Sequence, residues 1–332
     1  TEMYVAGDVQ ATETMTLIAE RLQVDSLNVH AQTGAWDSGL DAFDLVLNIT
    51  DRIILDGWLR TDNNINVDFV TSGEALLENG RDNNFLQGTS GLIETRGRNA
   101  VVNIDAVSSI VLQGQTLVGG DNAQITFNAG TYFDLKQIAG TIQSPDDNVT
   151  VDIDAQNEII IGGEILSGVE FVGGVKRKSG EGSIITLDTP EEIRIFGAMS
   201  STGPMEINAG IDASPGADED PDIDASIYLS GQLTSYADNF TMHLKAPGAV
   251  LLEGSIFVRG ENSPLLVESL QKVKFNNSFV EASDNITVLS GIDSISTFNS
   301  EDPEDVVDRL YPDVYDESVA TAIAVEDQSV GI

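Results

Sequence analysis

Along most of this chain apolar and polar residues alternate, and the alternation breaks at regular intervals on a glycine. The pattern apolar-x-apolar-x-Gly-x-apolar recurs around Gly34, Gly57, Gly80, Gly114, Gly140, Gly163, Gly197, Gly231 and Gly254, with Asn277 in the next slot. The steps between these positions are 23, 23, 34, 26, 23, 34, 34, 23 and 23. Four and two residues before the glycine stand pairs such as Ile53 and Leu55, Ile159 and Ile161, and Val273 and Phe275. Two residues after it come Leu59, Ile142, Ile165 and their equivalents. A second alternating pair lies ten and twelve residues before it: Leu22 and Val24, Leu45 and Leu47, Val102 and Ile104, Val151 and Ile153.

A period of two predicts strands with one buried face. An internal period of this length predicts a solenoid, because one turn cannot bury its own apolar face and must stack on the next. The predicted fold is therefore all-β: a single-stranded parallel β-solenoid, or β-helix, of roughly a dozen coils of about 23 residues. At about 4.8 Å per coil the rod is about 60 Å long. Glycine marks a sharp bend where a Cβ is costly. Ser144, Ser167, Ser201 and Ser235, each four residues after a glycine, form an expected hydroxyl ladder whose members satisfy one another. Trp36 and Trp58 follow the glycine and read as core.

Where the step is 34, the extra residues are expected to loop out of the rod, which is where solenoids place function. The first insertion, around 81–99, carries Arg81, Arg96 and Arg98. The second, around 168–182, holds Lys176, Arg177 and Lys178, the one basic cluster, which can meet an acidic patch on another copy or simply be a solvated turn. The third, around 209–224, contains Asp218, Asp220, Asp222 and Asp224, alternating acids of the sort that converge on a hard cation such as Ca²⁺. A solvated acidic loop is the plainer alternative. Residues 1–300 read as the solenoid and 301–332 as an acidic C-terminal cap or assembly arm. In the latter, Glu301 to Asp308 suits a short capping helix and Val319 to Val325 a strand. The segment 311–325 is the candidate subunit contact, since an open solenoid end exposes unpaired strand edges.

Composition narrows the partners. With 54 acidic and 16 basic residues the net charge is −38. Nucleic acid and anionic membrane surfaces, which require basic patches, are poor partners. Cations, a basic partner or a saline setting are favoured. The absence of cysteine excludes a disulfide framework and thiolate chemistry. No apolar run is long enough to span a membrane, and no signal peptide is evident, so the chain reads as a processed protein or a segment of a longer one. Five asparagines (Asn48, Asn148, Asn239, Asn276 and Asn285) begin N-x-S/T sequons.

Catalytic signatures are missing. His30 and His243 are far apart, no nucleophile elbow, H-E-x-x-H or P-loop occurs, and Asp152, Asp154 and Asp188 are only three acids among many. Segments such as 149–168 (VTVDIDAQNEIIIGGEILSG) and 249–260 (AVLLEGSIFVRG) resemble repeats of large bacterial exoproteins of the filamentous-haemagglutinin type. That resemblance implies a secreted or surface-displayed right-handed β-helix with adhesive or structural duty, and it carries over no functional residue. The expectation is a non-enzymatic prokaryotic extracellular or cell-surface structural protein. It is a segment of a filament, sheath or adhesin that associates with itself, aided by cations. A carbohydrate-binding adhesin segment, or a polysaccharide lyase or hydrolase of the β-helix type, is the alternative.

Overall fold

Alternate aliphatic side chains leave each strand one face to hide, and most of the described strands hide it in a single interior. The computed structural model describes residues 2–11, 14–29, 44–61, 64–69, 84–137, 140–172, 175–210, 226–269, 271–290 and 330–331. Its described residues are all-β, and 29 strands join into one hydrogen-bonded system. Pairing between coils is parallel, and the sheet winds round an axis as a parallel β-solenoid.

A typical coil has three strands. Thr150–Ala155 stacks on Gln124–Ala129 and Ile184–Thr189; Glu158–Ile161 stacks on Tyr132–Leu135 and Glu192–Ile195. The third strand, Glu164–Ser167, stacks on Thr141–Ser144 and Ala198–Ser201. The result is three strand ladders meeting at corners. Inward residues are fully buried along the rod, from Leu22 and Val24 through Ile104, Phe127, Phe133 and Ile153 to Leu244 and Val267. The earliest coils are less angular, with Met15–Val29 and Leu45–Thr61 each running as one long strand. No helix among the described residues is long and apolar enough to cross a membrane.

The glycine column has a steric cause. A Cβ on Gly114, Gly163, Gly197, Gly231 or Gly254 would stand 1.8–2.0 Å from the carbonyl oxygen of the glycine one coil earlier. The column is thus a place where backbones of successive coils come too close for a side chain, and each glycine requires the next.

Coil register corrects several sequence expectations. Trp58 pairs with Leu92 and Leu92 with Gln115, so the column runs Gly57, Gly91, Gly114. Gly34 and Gly80 lie outside the described residues. Of the expected first insertion at 81–99, residues 84–99 are instead ordinary coil, with strands Asn84–Gln87 and Leu92–Thr95, because Gly91 follows Gly57 in the bend; 81–83 lie outside the described residues. Leu22 and Val24 align with Ile53 and Leu55, which moves them from the first ladder to the second. At the far end Ser255 pairs with Phe279, so Ser278 takes the glycine slot and Asn277 sits beside it in a left-handed conformation (φ 52°). Trp58 is 43% exposed and lies under the Arg60 guanidinium at 4.2 Å, so it is a surface residue. Its neighbour Leu59 supplies the buried side chain.

The second insertion is a true protrusion: Val169–Val172 and Val175–Lys178 form an antiparallel hairpin that is a separate two-stranded sheet. Within the third insertion, Asp218, Asp220, Asp222 and Asp224 lie outside the described residues. So do Trp36, His30 and, apart from Val330–Gly331, the segment 301–332.

Candidate functional site: a carboxylate trio on the outer face

In the strand Thr150–Ala155, Val151, Ile153 and Ala155 enter the core, which turns Asp152 and Asp154 outward. In Ile184–Thr189 the same alternation buries Ile185 and Leu187 and turns Asp188 outward. Register then sets Asp154 beside Asp188 on the adjacent coil and Asp152 beside Thr186. One carboxylate oxygen from each of Asp152, Asp154 and Asp188 lies within 4.8 Å of the others. All three are half-buried, and none has an ion-pair partner among the described residues.

This arrangement is electrostatically unfavourable. Burial first, then the charges of Asp152 and Asp188, pushes the Asp154 carboxyl up to about 7. Burial also raises Asp188, aided by repulsion from Asp152 and Glu206 and opposed by a hydrogen bond from Asn208 Nδ2 to Asp188 Oδ1 (2.8 Å). Asp152 is raised by burial alone. Three carboxylates this close are relieved by a shared proton or by a cation. A hard divalent ion such as Ca²⁺, which takes several oxygen ligands, suits an all-carboxylate set.

Asp154 and Asp188 belong to a longer polar row in coil register: Asp105, Asn128, Asp154, Asp188, Asn208, Lys245, Glu268. An amide flanks the acid pair on each side, Asn128 before Asp105 and Asn208 before Lys245. Asn128 and Asn103 both donate to Asp105, the latter at 2.8 Å, much as Asn208 donates to Asp188. A groove of about 410 Å³ opens next to Asp154, lined by Asp105, Asn128, Asp154 and Gln156 with Val107 and Gly130. Further along the row Lys245 and Glu268 are buried, and burial lowers the Lys245 ammonium. His243 Nε2 lies 2.9 Å from Glu268 Oε2, so this histidine is held by an acid within the row.

The serine ladder exists, with Ser144, Ser167, Ser201 and Ser235 in direct register and buried. Its hydroxyls do not satisfy one another as expected. Ser201 Oγ donates to the Ser183 carbonyl and accepts from Gly203 N–H (3.1 Å), and Ser235 Oγ accepts from Ala237 N–H (3.2 Å). Ser144 Oγ and Ser167 Oγ have no hydrogen-bond partner among the described residues. The ladder is structural.

The trio was visible only as three acids in an acidic chain. The signal that singles it out is the step of 34 from Gly163 to Gly197, which is also the step from Asp154 to Asp188. Comparison with known proteins finds no matching family model, no similar characterised protein and no similar solved structure.

Proposed function

We propose that the chain is a stiff, non-enzymatic β-solenoid segment of a prokaryotic extracellular or cell-surface filament, sheath or adhesin. In this reading it associates with copies of itself and divalent cations assist. The observation that supports it is the uninterrupted coil-on-coil register around one apolar core, which makes a rod, the shape a spacer or fibre requires. Cations enter because a net charge of −38 opposes close approach of two rods until it is screened or bound. The closeness of the Asp152, Asp154 and Asp188 carboxylates supports placing a Ca²⁺ there in this reading.

Electron microscopy of the purified chain with millimolar Ca²⁺, then after EDTA, tests this. Ordered assemblies that dissolve on chelation support the proposal; single rods in both conditions refute self-association.

The groove beside Asp154 favours one further reading, in which the outer face binds or processes a saccharide. A glycan array tests binding. Turnover of a polysaccharide that is lost in Asp154→Asn would establish an enzyme.

A further inference from the structure

The hairpin Val169–Val172/Val175–Lys178 carries three consecutive cations on a chain that has only 16 basic residues against 54 acidic ones. Arg177 and Lys178 are exposed. Lys176 Nζ lies 3.4 Å from Glu164 Oε1 and Lys178 Nζ lies 3.7 Å from Glu181 Oε1. Arg177 has no ion pair among the described residues. With Glu170 in register opposite Arg177, the hairpin keeps a formal charge of +2 from three cations and one acid.

The hairpin leaves the rod at a particular corner. Ser179 and Gly180 return the chain, both N–H groups reaching the Gly168 carbonyl (2.9 Å), and Glu181–Gly182 re-enters the coil. In several other coils this corner is made by asparagines in the left-handed conformation: Asn122 and Asn148 (φ 59° and 54°), Asn239 and Asn262 (φ 60° and 50°). Asn99 (φ 59°) belongs to the same column but follows Arg98, which pairs with Asp121 at 3.3 Å, and the coil through Thr202 and Gly203 has no acid there. Gly182 (φ 68°) takes the place of asparagine opposite Asn148. An acid precedes Asn122, Asn148, Gly182, Asn239 and Asn262: Asp121, Asp147, Glu181, Asp238 and Glu261. Local bonds fix two of these carboxylates, with Asp147 Oδ1 accepting from Glu181 N–H and Asp238 Oδ1 from Glu261 N–H, both at 2.8 Å. Asp147, Asp238 and Glu261 are exposed and have no ion pair among the described residues. The corner therefore carries two runs of carboxylates, Asp121, Asp147 and Glu181, then Asp238 and Glu261, spaced about 4.8 Å where coils are adjacent and separated by the Thr202–Gly203 coil.

We infer that the hairpin of one copy docks on the acidic corner of a second copy, pairing two rods side by side. Each copy carries both surfaces, so the contact is reciprocal and fits a two-fold pair. The guanidinium of Arg177 presents a fork of donors suited to carboxylates, and the two lysines add charge. This inference rests on the self-association reading and gives it a location.

Sedimentation velocity at low and high salt tests it with the full chain. Wild type is expected to pair at low salt and to separate as salt screens the contact. The variant K176E/R177E/K178E is expected to pair at least tenfold more weakly, as is the corner variant D147K/D238K/E261K. An equal mixture of the two is expected to pair again, because each then offers what the other lacks. Circular dichroism checks folding, and the milder Arg177→Ala, expected to weaken pairing partially, covers a misfolded triple variant. A wild type that pairs while K176E/R177E/K178E pairs equally well overturns this inference and leaves self-association standing. A wild type that stays monomeric at every ionic strength overturns both.

Discussion

Asp154 and Asp188 are register partners on adjacent coils, both outward, both half-buried, with Asp152 completing a group whose oxygens lie within 4.8 Å. Stacking identical coil geometry aligns whatever side chains occupy equivalent positions, so like charges meet unless sequence prevents it. Elsewhere on the same row it does prevent it, with Asn128 between Asp105 and Asp154.

Stability is expected to fall as pH rises across this trio's titration. The Asp154 carboxyl is raised to about 7 from 3.8, so between those values the folded chain binds more protons than the unfolded chain. Its contribution is fully present below the unfolded value and is lost as pH rises through about 7. Asp152 and Asp188 shift in the same direction. Thermal melts by circular dichroism from pH 4 to 8 should show Tm declining. Asp154→Asn should flatten the decline and raise Tm at pH 8 by about 2–4 °C, the shift that follows from roughly 1 kcal/mol in a domain somewhat smaller than this one. Net charge acts on both proteins alike, so the difference between the curves is the readout.

Calcium should reverse that penalty. A ligand that binds only the folded state at 100 times its Kd stabilises by about 2.7 kcal/mol. Titration calorimetry is expected to show Ca²⁺ binding with proton release near pH 6, since the ion must displace the proton that burial holds on Asp154. Asp154→Asn and Asp188→Asn should each weaken binding by at least tenfold and abolish the Ca²⁺-dependent rise in Tm. Equal Ca²⁺ response in wild type and both variants would place any bound ion elsewhere.

The fold was legible because solenoid geometry writes one rule into every coil: alternate residues inward, glycine where backbones touch. That rule located Ile159, Ile161, Ile193 and Ile195 in the core. It failed where two glycines competed for one bend, as Gly91 did with Gly80, since spacing alone cannot say which carbonyl faces which Cα. It also misjudged Trp58, whose outward direction follows from Leu59 already filling the interior. The trio was illegible for a different reason. Asp152, Asp154 and Asp188 are common residues in a common environment, and only inter-coil register makes three of them one site. Residue type announced the basic hairpin; register revealed the acidic corner opposite which it is proposed to act.

The glycine column offers a sharp test of the packing argument. A Cβ at Gly197 would lie 1.8 Å from the Gly163 carbonyl oxygen, a backbone atom that moves only if the coils separate. Gly197→Ala is expected to lose about 1–3 kcal/mol, the usual range for overpacking, or more if coils part. At Gly119 the nearest neighbour of an added Cβ is 3.6 Å away, so Gly119→Ala should be nearly neutral. Urea melts of the two variants distinguish a steric column from a general dislike of side chains at bends.

Within the serine ladder, neighbours of the same type should respond in opposite ways. Ser167 Oγ is buried with no hydrogen-bond partner among the described residues, so its hydroxyl carries a desolvation cost without return. Ser201 Oγ, one coil later in the same column, accepts from Gly203 N–H at 3.1 Å and donates to the Ser183 carbonyl, holding the corner that follows. Removing a hydroxyl that leaves a buried N–H unsatisfied costs about 1–3 kcal/mol, whereas removing an unpaired one is neutral or favourable. Ser201→Ala is therefore expected to lower stability by roughly 1–3 kcal/mol in urea melts and Ser167→Ala to preserve or raise it. The pair separates two meanings of a side-chain ladder. If hydroxyls stabilise by stacking on one another, both alanines destabilise; if they act by closing individual corners, only Ser201→Ala does.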